Sequence, residues 1–203
     1  MSPPPAMQKL PDKRARILDA AVKVFARSGF FTATVAEIAH EAGVADGTIY
    51  LYFKGKEDLL LRLVQEKMAD LLAQAKSAVE AEPDAPRRLR RFITLHLSLV
   101  EKNPELAQVL IVELRRSAQV IRGPEREALS SYLELVAKVV KEGQEAGELD
   151  AAASPATVKR AVFGALDELA LGWLLSGRKT SLKKTATEVA QFLVRGLLPR
   201  EQS

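Results

Sequence analysis

Apolar residues recur along this chain at helical intervals, and no segment shows the sustained two-residue alternation of a surface strand. Between Asp12 and Arg27 the apolar positions are spaced three and four residues apart, which places them on one face of a helix. The pair Ser28-Gly29 follows, and glycine is the usual residue just beyond a helix end. The pattern therefore predicts a first helix whose inward face comprises Ile17, Ala20, Ala21, Val24 and Phe25.

A second, shorter helix is predicted by both a start and a stop signal. Thr34 and Glu37 stand at capping-box spacing, so the threonine side chain can accept from the N–H of Glu37 while the glutamate bonds back to the threonine N–H. Gly43 ends the apolar face that follows. That face comprises Val35, Ile38, Ala39 and Ala42.

A third helix is predicted from about Asp46 to Phe53, directly after a Gly-Val turn. Ile49 and Phe53 are four residues apart, so they point to the same side, and we expect them to pack inward. The sequence KGK at residues 54–56 then breaks the helix. The first 55 residues therefore contain three short helices, the last two joined by a tight turn.

The rest of the chain is one predicted helix after another. A long helix begins near Glu57 and fades near Glu82-Pro83. Further helices are predicted over 86–101, from Pro104 with apolar residues as far as Leu114, from 123 to about 145, from 154 to 176, and over 182–198. We therefore expect an all-α protein.

The composition agrees with this fold and removes several classes of protein. The 203 residues are 47% hydrophobic, 28% charged and only 5% aromatic, so the chain is globular with an aliphatic core. Cysteine is absent, which excludes disulfides and fits a reducing cytoplasm, and no apolar run approaches the roughly 18 residues of a membrane span. The net charge of +4 does not single out the N-terminal region. Prolines near the start predict a flexible leader over residues 1–11.

The three short helices match a helix-turn-helix, in which the third helix enters the major groove of DNA. Its outward face carries small, hydroxyl and aromatic residues, which suit base edges and phosphates, and lysines follow where the DNA backbone would pass. Any one of these residues could equally be partly buried core or a solvated turn, but the joint pattern favours DNA binding. The candidate contacts are Thr34, Gly47, Thr48, Tyr50, Leu51, Tyr52, Lys54 and Lys56.

The segment FARSGFFTATVAEIAHEAGVADGTIYLYFKGKEDLL closely resembles the DNA-binding domain of the TetR family of transcriptional repressors. Two positions depart from the family pattern: Ala33 replaces a threonine, and Ala45 replaces the serine before the recognition helix. Asp46 could supply the missing cap or accept a hydrogen bond from a cytosine amine. The resemblance covers about residues 13–62 and implies DNA contacts by Thr34, Gly47, Thr48, Tyr50, Tyr52 and Lys56.

The resemblance implies a DNA-binding domain over residues 12–56 and a helical effector-binding and dimerisation domain over 57–203, whose last two long helices form a four-helix bundle with a partner. The sequence agrees, because small residues on the penultimate helix, such as Gly164 and Gly172, permit close helix approach. A single recognition helix also binds weakly, so a homodimer on a palindrome is favoured over plain intramolecular core. The candidate interface residues are Phe163, Leu166, Ala170, Trp173, Val189, Phe192 and Leu193.

We expect an effector cavity between helices of the middle region. Its aliphatic character favours a long apolar ligand, although each residue could be plain core. The segments GVADGTIYLYFKGKEDLL and ALDELALGWLL look similar to the family's fatty-acid-degradation regulators, which implies a long-chain acyl-CoA effector, with its phosphates near Arg87, Arg88, Arg115 or Arg116. The alternative is another hydrophobic molecule or drug, as in efflux control. The candidate walls are Phe92, Leu95, His96, Leu99, Leu106, Leu110 and Leu114.

The resulting hypothesis is a repressor that leaves its operator when the ligand favours a conformation in which the long helix near Glu57 has swung. An enzyme is the main rival, but the two histidines, His40 and His96, fall on separate helices, and no phosphate-loop, dinucleotide or H-E-x-x-H motif is present. A second rival is a helical adaptor that binds only protein. We expect no catalytic residue, no metal and no cofactor.

Overall fold

The structure is a computed structural model that describes residues 12–113 and 124–199 of the chain. Throughout these ranges the regular structure is helical, so the predicted all-α class is confirmed. The predicted flexible leader over residues 1–11 lies outside the described residues. The chain divides into two compact units after Leu63. The predicted functional boundary at residues 56 and 57 stays a prediction.

The first unit contains three short helices and the beginning of a fourth. These are α1 (Lys13–Ser28), α2 (Val35–Ala42), α3 (Asp46–Ile49) and the start of α4 (Lys56–Glu80). The predicted inward faces of the first two helices form most of the core, and the inward residues of the third join them. Apolar burial of this kind contributes about 1.5–3 kcal/mol for each large side chain. The fully buried residues include Ile17, Val24, Phe25, Ile38, Ala39, Ile49 and Phe53.

The third helix is shorter than its predicted span, which reached Phe53. Regular α-helix ends at Ile49, after which the N–H groups of Leu51 and Tyr52 donate to oxygens three residues back, at 3.2 and 3.0 Å. This tighter turn is a common way for a helix to end. Phe53 nevertheless stays in register, because its N–H donates to the Ile49 oxygen at 2.9 Å and its ring remains buried.

The second unit is a set of longer helices. Helix α4 continues into this unit, and α5 (Ala85–Lys102) packs against each of the last three helices. The helix that begins at Pro104 differs from its prediction, since it is α-helical only over α6 (Pro104–Gln108) and π-helical over Val109–Glu113. The wider π turn shifts the inward face, so Ile111 and Glu113 are buried. The remaining helices are α7 (Pro124–Glu145), α8 (Pro155–Leu175) and α9 (Leu182–Arg195).

Gly143 lets the start of α5 approach the end of α7. A Cβ atom at this position would lie 2.5 Å from the Cβ of Ala85 and 2.7 Å from Cδ1 of Leu149, which is closer than real side chains pack. Nearby, the Glu148 carboxylate accepts from the N–H of Ala85 at 2.7 Å and so satisfies one free donor of the first turn of α5. Glycine is therefore required by packing at residue 143.

Candidate DNA-binding and effector sites

The predicted capping box closes the N-terminus of α2. Thr34 Oγ1 accepts from the N–H of Glu37 at 3.2 Å, and the Thr34 N–H donates to Glu37 Oε2 at 2.7 Å. These hydrogen bonds from Thr34 hold the pKa of the Glu37 carboxyl below its ordinary value. The Thr34 hydroxyl also donates to Glu37, at 2.9 Å. A phosphate arriving here would therefore meet the free N–H groups of Val35 and Ala36 rather than the threonine hydroxyl.

The turn between α2 and α3 is held by a glycine and by an arginine that sequence reasoning missed. Gly43 adopts the left-handed conformation, with φ 64° and ψ 43°, and its N–H donates to the His40 oxygen at 3.1 Å. Arg16 Nη2, on α1, donates to the carbonyl oxygens of Ala42 at 2.6 Å and Gly43 at 3.2 Å. These carbonyls end α2, where a cation is favourable. Arg16 therefore ties α1 to the turn that α3 follows.

The outward face of α3 and the turn beyond it is open to solvent. Tyr50, Leu51 and Tyr52 are 60%, 80% and 39% exposed, whereas Ile49 and Phe53 are buried. Gly47 is also exposed, and Thr48 is half-buried. The exposure that a DNA-reading face requires is present, and the contacts themselves stay a prediction.

The start of α3 has no side-chain cap. Ala45 occupies the N-cap position, and Asp46 is the first helical residue and makes no capping bond. The capping interpretation of Asp46 is therefore wrong, because the residue stands one position too late in the helix. Its carboxylate is left exposed beside Gly47.

The two lysines after α3 differ in their surroundings. Lys54 is exposed. Lys56, the first residue of α4, donates from Nζ to the carbonyl oxygens of Phe31 at 3.0 Å and Ala33 at 2.9 Å, and lies 4.9 Å from the ring centroid of Phe30. From the sequence, both lysines are candidate phosphate contacts. In the structure, Lys56 is hydrogen-bonded to the protein's own backbone.

An aromatic cluster occupies part of the predicted effector region. His96 Nδ1 lies 3.0 Å from the hydroxyl of Tyr132, and the Tyr132 ring lies 5.1 Å from that of Phe92. Phe163 meets the His96 ring edge-on at 6.4 Å. Burial lowers the pKa of His96 to about 4 and raises that of Tyr132, so both side chains are uncharged near neutral pH. Sequence reasoning missed Tyr132, which lies 36 residues from its histidine partner.

The other predicted wall residues keep some accessible surface. Leu95, Leu99, Leu106 and Leu110 are half-buried, and Leu114 lies outside the described residues. The candidate phosphate-binding arginines are engaged elsewhere or outside the described ranges. Arg87 pairs with Asp84 at 3.4 Å and Arg88 with Glu142 at 3.2 Å, whereas Arg115 and Arg116 are not described.

On α8, three of the predicted dimer-interface residues are buried within their own chain. Leu166 and Ala170 have no exposed surface, and Trp173 is 8% exposed with its indole N–H donating to the Thr180 oxygen, so these side chains pack within their own chain. Phe163 belongs to the aromatic cluster. The positions left outward on α8 include Gly164 and Gly172, and a Cβ at either would meet nothing within 4 Å.

On α9 the predicted interface residues remain accessible. Phe192 is 76% exposed, and Val189 and Leu193 are half-buried. Leu175, at the end of α8, is 73% exposed. These apolar residues are consistent with a surface that a partner covers.

Residues 12–113 and 124–199 hold no group of three or more metal-ligating side chains. Within the same ranges no helix combines the length and hydropathy that crossing a membrane requires.

Comparisons with known proteins give matches over both units. Residues 17–63 match the model of the bacterial regulatory proteins of the tetR family, and residues 64–196 match the C-terminal region of YsiA-like proteins. The chain is 36% identical to the fatty acid metabolism regulator protein of Bacillus subtilis strain 168, over 94% of this chain and 97% of that protein.

Two solved structures are similar over nearly the whole chain. The fatty acid degradation regulator FadR of Bacillus halodurans superposes with a TM-score of 0.87 at 36% identity, covering 93% of this chain and 98% of that one. The transcriptional regulator FadR of Bacillus subtilis in complex with stearoyl-CoA superposes with a TM-score of 0.83 at 35% identity, covering 90% and 98%.

Proposed function

Because this chain belongs to the TetR family of bacterial transcriptional regulators, we propose that it is a repressor released from a palindromic operator by long-chain acyl-CoA. The observation that carries the DNA-binding part is the outward face of α3 and the turn beyond it, where Tyr50, Leu51 and Tyr52 are exposed beside the buried Ile49 and Phe53. Three consecutive large side chains left exposed together form a patch, and exposed apolar patches mark interaction sites more often than single exposed residues do. Such a repressor acts in the cytoplasm, where its operator lies.

The proposed contacts of the first unit are of two kinds, those to DNA bases and those to the DNA backbone. Gly47 admits a base edge, and Thr48 offers a hydroxyl and a methyl group to the major groove. Tyr50 and Tyr52 offer hydroxyls to phosphates, and the exposed Lys54 adds charge. The free N–H groups at the start of α2 supply a further phosphate contact.

A homodimer supplies the second recognition helix. Glycine inside a helix costs about 1 kcal/mol relative to alanine. Gly164 and Gly172 lie on the outward side of α8, where nothing in the protomer needs the missing side chain. A partner helix that approaches closely at these positions explains both glycines. Phe192 and Leu175 are exposed apolar residues of the last two helices, and we expect the partner to cover them as well.

The effector is expected in the second unit, and the relative in complex with stearoyl-CoA superposes over 90% of this chain. His96 is half-buried, and its ring lies beside those of Phe92, Tyr132 and Phe163. Half-buried leucines on α5 and α6, Leu95, Leu99 and Leu106, would line an effector cavity beside this cluster for an acyl chain. The ligand releases DNA if it binds better to a conformation in which α4 has moved.

The experiment begins with operator DNA selected by the purified protein from random duplexes. We expect a palindrome with half-sites about one helical turn apart. Fluorescence anisotropy then gives the affinity at fixed salt, with and without saturating stearoyl-CoA. We expect stearoyl-CoA, but neither CoA nor stearate alone, to weaken binding by roughly tenfold or more. Thr48→Ala should change the preferred sequence by about 1–3 kcal/mol at one position.

The control is Lys141→Ala, which removes a cation from the exposed surface of the second unit. It should leave both affinities unchanged. If saturating stearoyl-CoA leaves operator affinity unchanged, the effector is another molecule, and the assignment as a repressor is unaffected. If no duplex is bound in a salt-sensitive, sequence-dependent way, the repressor assignment itself is wrong.

A further inference from the structure

Lys56 links two parts of the first unit that are 23 residues apart in the sequence. Its side chain leaves the first turn of α4 and ends between the carbonyl oxygens of Phe31 and Ala33, at 3.0 and 2.9 Å. The ammonium also lies 4.9 Å from the ring centroid of Phe30, which adds a cation–π contact. Two of its three donors are therefore used inside the protein.

The segment that Lys56 holds is itself firmly attached to the core. Phe30 and Ala33 are each 2% exposed, and the Phe30 ring packs edge-on against Phe25 at 5.5 Å. The N–H of Ala33 donates to the Gly29 oxygen at 3.1 Å. Because the loop is anchored, a displacement of α4 beyond the reach of the Lys56 side chain must either move the loop or break these hydrogen bonds.

This loop ends at the phosphate-facing N-terminus of α2. Ala33 directly precedes Thr34, whose capping box orients the first free N–H groups of α2. The start of α4 is thus tied to the donors proposed to meet DNA. Helix α4 also runs as one helix from Lys56 to Glu80, through the point where the two units divide.

We propose that Lys56 is a positioning residue, which transmits displacement of α4 to the N-terminus of α2 rather than serving as a phosphate contact. The inference rests on the proposed function for its regulatory meaning, since it supplies the step between effector-driven movement of α4 and loss of DNA contacts. The hydrogen bonds from Lys56 to the carbonyls of Phe31 and Ala33 lie within the first unit alone.

The test compares Lys56→Met, which keeps the apolar stem and removes the ammonium, with Lys54→Met, a matched change at an exposed lysine two residues earlier. Operator affinity is measured across a range of salt. Losing one phosphate contact lowers the slope of log affinity against log salt by about 0.9, and a substitution in both protomers of the proposed dimer removes two such contacts, which lowers the slope by about 1.8. We expect that fall for Lys54→Met. For Lys56→Met we expect at least about a tenfold loss of affinity with an unchanged slope.

The effector response gives a second, independent measurement. In the wild type, stearoyl-CoA lowers operator affinity by a measured factor, and in Lys56→Met we expect that factor to shrink at least about threefold towards one. Lys56→Arg, which can still donate to both carbonyls, should recover most of it. A fall in salt slope for Lys56→Met together with an unchanged effector factor would overturn the inference.

Hydrogen exchange without DNA separates this inference from the proposed function. Amides over residues 29–38 should exchange several-fold faster in Lys56→Met than in Lys54→Met or the wild type, because the loop loses its two hydrogen bonds from Lys56. Unchanged exchange there overturns the positioning role even if the protein is a repressor. If exchange is faster but the protein binds no operator, the positioning role of Lys56 is supported and the proposed function is rejected instead.

Discussion

Acidification should destabilise this protein through one half-buried histidine. His96 has a pKa of about 4 in the folded protein and 6.5 in an unfolded chain, because burial disfavours its charged form. Between these values the unfolded state binds a proton that the folded state does not. The stabilisation is therefore present above pH 6.5 and is lost as the pH falls towards 4.

The expected size of the effect follows from the two pKa values. One pKa unit corresponds to about 1.36 kcal/mol. Lowering the pH from 7 to 5 crosses about 1.5 units of the interval between the unfolded and folded values, so His96 alone should remove about 2 kcal/mol from the free energy of unfolding. Against a typical stability of about 5–15 kcal/mol, a loss of this size is readily measured.

The assay is urea unfolding at pH 7 and pH 5 with the protomer concentration held constant, since the proposed dimerisation would contribute to stability. Carboxylates also titrate in this interval, so the informative quantity is the difference between wild type and His96→Gln. We expect wild type to lose about 2 kcal/mol more than this variant, whereas His40→Gln, at the exposed second histidine, should follow wild type. Parallel profiles for wild type and His96→Gln would refute the reasoning.

Four substitutions test other parts of the structure. Gly43→Ala should cost about 1–2 kcal/mol in urea unfolding, because φ is 64° and the new Cβ would lie 3.1 Å from Arg16 Nη2. Gly143→Ala should cost about 1–3 kcal/mol by overpacking, read from the same curves. Thr34→Ala should lower stability by about 1 kcal/mol and weaken operator binding in the anisotropy assay. Gly164→Ala should weaken dimerisation in sedimentation equilibrium while leaving the helix content of the protomer intact; tighter dimerisation would contradict the proposed interface.

The features that sequence predicted correctly are those whose partners lie within a few residues. Thr34 and Glu37 form their capping box, and Gly43 adopts the left-handed conformation that ends α2. The inward positions of Ile49 and Phe53 also follow from local spacing and are buried as expected. The length of α3 was less well predicted, because the tightened hydrogen bonds after Ile49 depend on the chain reversal into α4.

Long-range partners of charged side chains could not be predicted in this way. Arg16 bonds the carbonyls of Ala42 and Gly43, 26 and 27 residues away, and nothing in the spacing of α1 marks it. Lys56 carried the same sequence signal as Lys54, a cation beside a proposed DNA-binding helix. Only the positions of two loop carbonyls distinguish them.

Helix α8 shows why apolar pattern alone cannot identify an interface. Hydropathy reports that a side chain leaves water, whether its own chain or a partner covers it, and so Leu166 and Ala170 were assigned to the wrong surface. An outward glycine carries different information. Each of Gly164 and Gly172 costs the helix about 1 kcal/mol and gains the protomer no contact, which the proposed dimer interface would explain. The missing side chains therefore support the proposed partner surface better than the apolar ones do.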